Sequence, residues 1–257
     1  MPKPHQYDEQ FAGRHDAEIQ QNRDRWARKP LLQEVYRGFY REIDRWRQRR
    51  ANGPTVELGS GVGAIREVIP DCITTDLHGN PWIDRVESAY RMSFADGTVG
   101  NIILFDVFHH LQHPGTAIRE LGRVLEPGGR LIIFDPAMSA LGLMVYGALH
   151  PEPLGLLRSI AWEAPEGADT TALGYYAAQG NASRVFRRAG ASALPPEWRI
   201  VHRREMSALA YVASGGYSKP QLYPTRWLPI VRRLERVADV VPILTATRLL
   251  VVLEKRA

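Results

Sequence analysis

The chain has 257 residues and a formal net charge of +5, with 44% hydrophobic and 24% charged residues. This length predicts one large domain, or one domain with an insertion, and the composition excludes a fibre and a mainly disordered chain. No apolar stretch is long enough to predict a membrane helix, and the N-terminus does not resemble a secretory signal. The single cysteine, Cys72, excludes an internal disulfide and a cysteine-based metal site. We therefore expect a soluble, cytoplasmic protein.

Charge is distributed unevenly along the chain. Residues 51–183 carry 7 basic and 15 acidic side chains, whereas residues 184–236 carry 11 basic and 3 acidic ones. Residues 1–50 are also basic, with 12 basic and 8 acidic side chains. The basic flanks are either solvated arginines on amphipathic helices or a rim that attracts an anionic substrate, a membrane surface or nucleic acid.

The predicted elements change type near residue 55. Residues 8–50 show apolar side chains at helical spacing, and short apolar strands then alternate with helices. Strands are predicted at 55–58, 72–75, 100–105, 130–134, 198–213 and 248–253, and helices at 64–69, 116–125, 183–189 and 228–241. This alternation favours a parallel sheet with helices on both faces.

A glycine-rich turn, Gly59-Ser60-Gly61-Val62-Gly63-Ala64, lies between a predicted strand and a predicted helix. Such a turn lets the backbone approach a ligand closely, and the helix start offers free N–H groups. The pattern indicates a nucleotide-type ligand and also fits a dinucleotide fold. Asp76, after the second strand, can accept hydrogen bonds from two ribose hydroxyls. Glu57 precedes the turn and favours a cationic ligand over a phosphate.

Five segments, in order and spacing, resemble class I S-adenosylmethionine-dependent methyltransferases of the type 11-like group. They are Val56-Glu57-Leu58-Gly59-Ser60-Gly61-Val62-Gly63, Asp76, Ser93-Phe94-Ala95-Asp96-Gly97, Asp106-Val107-Phe108-His109-His110-Leu111 and the run Arg123-Val124-Leu125-Glu126-Pro127-Gly128-Gly129-Arg130-Leu131. The resemblance is strong over residues 55–135. It implies an α/β, Rossmann-like seven-stranded sheet that is mostly parallel with an antiparallel last strand. Helices would cover both faces, with N-terminal helices and a cap-like insertion added.

The resemblance also implies S-adenosyl-L-methionine as the cofactor and assigns its contacts. Gly59, Ser60, Gly61 and Gly63 would pass beside the methionine part, with Glu57 near its amino group. Asp76 would hold the ribose and Leu77 would pack on the adenine, while Leu104 and Phe105 would border the cofactor. Ser88 and Ala89 lie where relatives often place an acid for the adenine amino group, and Glu87 is the neighbouring alternative. Tyr7 would touch the cofactor from the N-terminal segment.

The resemblance divides the chain into four parts. Residues 1–50 would cover the site, 51–136 would bind the cofactor, 137–197 would form a variable substrate cap, and 198–257 would complete the sheet. Acceptor-pocket candidates are His150, Trp162, Tyr175, Tyr176 and Tyr211, although core packing explains these residues equally well.

His109 is the candidate base for a hydroxyl acceptor, because it follows the predicted strand 100–105 and its side chain is expected to point into the site. Packing or closure over the cofactor is the alternative for His109, and a structural hydrogen bond is expected for His110. Asp106 either caps the next helix or faces substrate. No metal is expected, since Pro136 takes the place of the Asn in a catechol-type metal site.

The expected reaction is methyl transfer to a small-molecule or glycan- or lipid-linked acceptor, most simply at a hydroxyl oxygen, with N- and C-methylation open. The Asn/Asp-Pro-Pro-aromatic motif of enzymes that methylate nucleobase amino groups is absent after the predicted strand 100–105. A nucleic-acid methyltransferase using the basic flanks and a non-catalytic cofactor-binding partner protein remain alternatives. A fourth hypothesis is a peripheral membrane enzyme, in which an amphipathic segment contacts lipid; the alternative is an ordinary surface helix. The residues of that segment are Trp227, Leu228, Ile230 and Val231 with Arg226, Arg232, Arg233 and Arg236.

Overall fold

A seven-stranded sheet runs through the computed structural model, which describes residues 19–170, 175–187 and 194–256. The strands are β1 (Thr55–Leu58), β2 (Ile73–Asp76), β3 (Arg85–Val86), β4 (Val99–Phe105), β5 (Leu125–Pro136), β6 (Trp198–Met206) and β7 (Arg248–Lys255). Their order is β3-β2-β1-β4-β5-β7-β6. β7 is antiparallel to both neighbours, and the other pairs are parallel. The predicted fold class is confirmed.

Eight α-helices and four shorter helical turns connect the strands within the described residues. The helices are α1 (residues 19–28), α2 (Pro30–Asp44), α3 (Pro114–Val124), α4 (Ala140–Met144), α5 (Asn181–Arg187), α6 (Leu209–Ser214), α7 (Leu228–Ala238) and α8 (Pro242–Thr245). The turns are three 3₁₀ segments, Ala64–Glu67, Phe108–His110 and Thr225–Trp227, and one π segment, Val145–Leu149. No described helix is long and apolar enough to cross a membrane.

The sheet is buried on both faces, which explains why β4 ends in four consecutive apolar residues, 102–105. Successive strand residues point to opposite faces. Ile102 and Leu104 therefore join a core layer with α3 and α5, whereas Ile103 and Phe105 join a second layer with α1 and α2. The N-terminal helices thus pack on one face of the sheet.

The predicted strand at 198–213 is wrong in its second half. β6 ends at Met206, and Ala208 takes a left-handed conformation, with φ of 44°, before α6 begins at Leu209. The run of small and apolar residues after Ser207 suits a strand or a helix by pattern alone. The buried Ser207 settles the choice, because its backbone N–H donates to Asp239 and its carbonyl accepts from Thr247.

Candidate functional site

The glycine-rich turn leaves β1 in a conformation that only glycine adopts readily. Gly59 and Gly61 have φ of 71° and 52°, both in the left-handed region. A Cβ on Gly59 would lie 2.4 Å from Val107 Cγ2, so the turn passes directly against the segment that follows β4. Among the described residues, a Cβ on Gly61 would meet only the Ile19 methyl, at 3.7 Å. Close packing therefore requires glycine at position 59, whereas the space beside Gly61 is open.

Asp76 fixes the turn from the end of β2. Its carboxylate accepts from the backbone N–H of Gly61 at 2.9 Å and from that of Leu77 at 2.7 Å. The backbone N–H of Ser60 donates to the Thr75 carbonyl at 2.8 Å, which ties the turn to β2. The predicted ribose-binding carboxylate therefore lies beside the predicted methionine-binding turn.

Glu57 is a buried carboxyl group with no cationic partner among the described residues. Its side chain is 1% exposed, and its Oε2 has no hydrogen-bond partner among the described residues. Burial raises the pKa of Glu57 to about 8, although hydrogen bonds from Ser60 and Tyr40 act in the opposite direction. An unpaired buried carboxylate is costly, and the ammonium of a methionine moiety is a donor that would satisfy it. The residues present therefore fit the expected cofactor.

A cavity of about 480 Å³ lies beyond Asp76, where the adenine is expected. Leu77 and Ser88 line this cavity, and Leu77 is 51% exposed. Ala89 lies next to it in the core. The carboxylate of Glu87 accepts from the Ser93 backbone N–H at 2.8 Å and from the Ser93 hydroxyl. Glu87 is thus held by its own loop, although it also lines the cavity.

The end of β4 carries the next group of predicted residues. Leu104 is fully buried in the core, and Phe105 stacks on Tyr36 with ring centroids 5.2 Å apart. Tyr7 lies outside the described residues. Gly63 closes the turn with φ of 67°.

Asp106 forms an ion pair that the sequence did not reveal. It has a left-handed φ of 55°, and its Oδ1 accepts from Nη1 of Arg248. Arg248 is 1% exposed and lies 4.4 Å from the ring centroid of Tyr211, with three phenylalanine rings also within about 6 Å. The following 3₁₀ turn, Phe108–His110, has Val107 as its N-cap residue and no side-chain cap, so Asp106 does not cap it. Contact of Asp106 with substrate stays a prediction.

His109 lies between two carboxylates at the end of the sheet. Its Nδ1 is 2.9 Å from Asp135 Oδ1, and its Nε2 is 3.3 Å from Glu152 Oε2. Burial by itself would lower the pKa of His109, but Asp135 and Glu152 overcome this and raise it to about 10. Burial likewise acts to raise the pKa of Glu152, yet His109 and His110 hold it well below its usual range. In this arrangement the imidazole is protonated at neutral pH.

Glu152 gathers several polar side chains from the insertion. Its carboxylate accepts from Gln179 Nε2 at 2.5 Å and from the Tyr175 hydroxyl at 2.8 Å, and His150 Nδ1 is 3.9 Å away. The predicted pocket residues His150 and Tyr175 therefore converge on His109. Tyr176 joins them through its carbonyl, which is 2.9 Å from Nδ1 of His110, the structural hydrogen bond expected for that residue.

Two other pocket candidates lie apart from this group, and two residues of the group were missed. Trp162 packs at the start of α3, where its carbonyl accepts from the Gly115 N–H, and Tyr211 belongs to the Arg248 cluster. Sequence reasoning missed Glu152 and Gln179, because no local motif links them to the strand ends.

Comparison with known proteins agrees with the cofactor site predicted at the glycine-rich turn and Asp76. A model of the methyltransferase domain family matches residues 56–133. A comparison with curated protein sequences finds no match. Among solved structures, the chain is similar to a methyltransferase in complex with the Trm112 activator of Haloferax volcanii, at 14% identity and a TM-score of 0.54, covering 96% of this chain and 98% of that one.

Two further structures are similar at low sequence identity. A SAM-dependent methyltransferase from Thermotoga maritima has 12% identity and a TM-score of 0.51, covering 93% of this chain and 99% of that one. The geranyl diphosphate C-methyltransferase of Streptomyces coelicolor, solved with S-adenosyl-L-homocysteine, has 10% identity and a TM-score of 0.52, covering 86% and 76%. At sequence identities this low, the structural similarity shows that the fold is shared and no more.

Proposed function

We propose that this chain, a class I S-adenosylmethionine-dependent methyltransferase whose residues 56–133 form the methyltransferase domain, methylates a hydroxyl oxygen of a small-molecule or glycan- or lipid-linked acceptor. The observation that carries the proposal is the array Asp135–His109–Glu152. β1, β2, β4 and β5 are parallel, so their carboxyl ends meet at one edge of the sheet. The array therefore shares that edge with the glycine-rich turn and Asp76.

Methyl transfer to a hydroxyl forms a C–O bond, breaks the S–CH₃ bond and leaves a proton to be removed. Bound S-adenosylmethionine supplies the methyl group on a sulfonium, which leaves as a thioether. The chain must then align the acceptor and take its proton.

The Asp135–His109–Glu152 array can accept that proton. In the resting array, His109 holds a proton at Nε2, towards Glu152. When an acceptor hydroxyl displaces Glu152 from Nε2, that proton leaves with the Glu152 carboxylate, so the neutral imidazole has a free lone pair at Nε2. The imidazole can then take the hydroxyl proton as the base that the sequence predicts.

A lipid-linked acceptor is supported by the exposed face of α7. Trp227, at the end of the preceding 3₁₀ turn, and Ile230 of the predicted segment are exposed, as are Leu234 and Val237 at the same helical spacing. Leu228 and Val231 of the predicted segment instead pack inward. Arginines of the same segment carry the positive charge that favours an anionic membrane surface. α8 follows α7 and packs on α4, which comes directly after β5. The segment that follows α7 therefore packs against the element that follows β5.

The acceptor class is tested with carbon-13 methyl-labelled S-adenosylmethionine and fractionated cell extract. We expect label in the small-molecule or lipid fraction, with the carbon chemical shift of an O-methyl group, and almost none in RNA. His109→Gln should lower the labelling rate by about 10²–10⁴-fold, while His202→Gln, on β6 and stacked on Trp46, should not. Label in RNA, or on nitrogen or carbon, would refute the proposed acceptor but leave methyl transfer intact.

A further inference from the structure

His109, His110 and Glu152 present three ligand atoms to one point. The atoms, one from each side chain, all lie within 4.8 Å of one another. Nε2 of His109 is 3.3 Å from Glu152 Oε2, and Nε2 of His110 is 3.8 Å from Glu152 Oε1. Two ligands on a tetrahedral zinc, with bonds near 2.1 Å, are about 3.4 Å apart. Small side-chain shifts would therefore close these three groups around one ion.

The outer hydrogen bonds orient both imidazoles for metal binding. Nδ1 of His109 is 2.9 Å from Asp135 Oδ1, and Nδ1 of His110 is 2.9 Å from the Tyr176 carbonyl oxygen. A carbonyl oxygen only accepts, so Nδ1 of His110 carries the hydrogen and Nε2 keeps its lone pair. Metal-bound histidines commonly hold their second nitrogen on a carboxylate or backbone carbonyl in this way.

An independent observation lies beside the cluster. Gln179 is 1% exposed, and its Nε2 donates to Glu152, yet its Oε1 has no partner among the described residues. Rotation of the Gln179 carboxamide would turn this orphan oxygen towards the same point as the other ligand atoms. Oδ2 of Asp135, behind His109, is likewise buried and has no hydrogen-bond partner in the described parts of the chain. Buried polar atoms rarely stay unpaired, and a cation at the cluster would supply the missing charge.

We propose that His109, His110 and Glu152 bind a divalent transition-metal ion in a two-histidine, one-carboxylate site. Imidazole nitrogens favour Zn²⁺ and similar ions over Mg²⁺, which prefers oxygen ligands. These three ligands do not belong to the catechol-type metal site discussed above. The presence of Pro136 in place of that site's Asn therefore does not affect them.

The inference about binding does not rest on the proposed acceptor. Only its catalytic consequence does: an ion held here would occupy Nε2 of His109, so the ion would replace the imidazole base by lowering the pKa of a bound acceptor hydroxyl.

The test measures metal binding directly, without S-adenosylmethionine. The full chain is stripped with chelator and titrated with Zn²⁺ by calorimetry and with Co²⁺ by visible absorption. We expect binding of one ion with a tetrahedral or five-coordinate Co²⁺ spectrum. Glu152→Gln and His110→Ala should abolish that spectrum, and Asp135→Asn, which removes the outer partner of His109, should weaken affinity by about 10–100-fold. His202→Gln removes a histidine outside the cluster and should bind as the parent does.

Circular dichroism and thermal unfolding establish that each variant is folded, and His110→Gln replaces His110→Ala if the latter is not. Absence of Zn²⁺ and Co²⁺ binding, or equal affinity in Glu152→Gln and His202→Gln, would overturn the proposal. Methyl transfer is assayed separately in the same chelated preparations. Failure to bind metal with methyl transfer retained would therefore refute the metal site alone.

Discussion

Replacing Glu57 with glutamine should stabilise the free protein while weakening its affinity for the cofactor. The pKa of Glu57 is raised from 4.5 to about 8, chiefly by burial. Below pH 4.5 both the folded and the unfolded chain hold this proton, and the stability it gives is fully present. As the pH rises, the unfolded chain ionises first, so this stability is lost until the folded protein also ionises near pH 8.

The size of the effect follows from the pH interval. Each pH unit above 4.5 costs about 1.4 kcal/mol, so by pH 7 the carboxyl lowers the free energy of unfolding by about 3 kcal/mol. Glutamine keeps the shape without the ionisable group. Glu57→Gln should therefore be more stable than the parent by up to about 3 kcal/mol at pH 7, measured by urea unfolding, with the gain shrinking towards pH 4.5.

Cofactor binding should respond in the opposite direction. The ammonium of the cofactor pairs with the ionised carboxylate, yet at pH 7 a group with a pKa near 8 is about 0.9 protonated. Binding should therefore release about 0.9 proton, and affinity should rise with pH up to about 8. In Glu57→Gln the proton release should vanish, and loss of one charged hydrogen bond, about 1.5–3 kcal/mol, should weaken binding by about 10–100-fold.

Calorimetry in two buffers of different ionisation enthalpy measures the proton release and the affinity together. Glu166→Gln, at an exposed position, is the matched control and should behave as the parent. Parent-like affinity and proton release in Glu57→Gln, or a lower stability at pH 7, would refute the assignment of Glu57 to the ammonium.

Three further predictions concern other parts of the site. Asp76→Ala should weaken S-adenosylmethionine binding at least tenfold by calorimetry, because the ribose partner and the Gly61 turn are lost together; unchanged affinity would contradict the assignment. Asp106→Ala leaves the buried Arg248 unpaired and should cost about 3–5 kcal/mol in urea unfolding, and the double variant with Arg248→Met should recover most of it. Leu234→Ser on α7 should reduce co-sedimentation with anionic vesicles and leave unfolding unchanged; equal sedimentation would exclude this face as a membrane contact.

The sequence was informative where the chemistry is local. The glycine-rich turn, Glu57 and Asp76 lie near strand ends, and the parallel topology brings strand ends together, so their neighbourhood could be predicted. Glu152 and Arg248 could not be found in this way. Glu152 contacts His109 and Arg248 contacts Asp106, in both cases across a large sequence separation. Neither Glu152 nor Arg248 lies in a motif.

The sequence predicted which strands and helices exist better than it predicted the residues at which they begin and end. The run after Ser207 fits strand and helix spacing alike. Only the hydrogen bonds of Ser207, whose N–H donates to Asp239 and whose carbonyl accepts from Thr247, decide that the strand ends there. Similarly, the helix predicted at 64–69 forms only the 3₁₀ turn Ala64–Glu67. Its start is set by the left-handed Gly63, which the turn requires.

The place of β7 has a consequence for how the chain folds during synthesis. β7 pairs with β5 on one side and β6 on the other, so residues 248–255 fill an interior position of the sheet. The chain is synthesised at about 5–20 residues per second. Until residues 248–255 have left the ribosome, the edge of β5 that pairs with β7 has no partner. An unpaired, apolar edge invites pairing with other chains. The nascent protein therefore passes through an aggregation-prone interval that ends only when this strand is inserted.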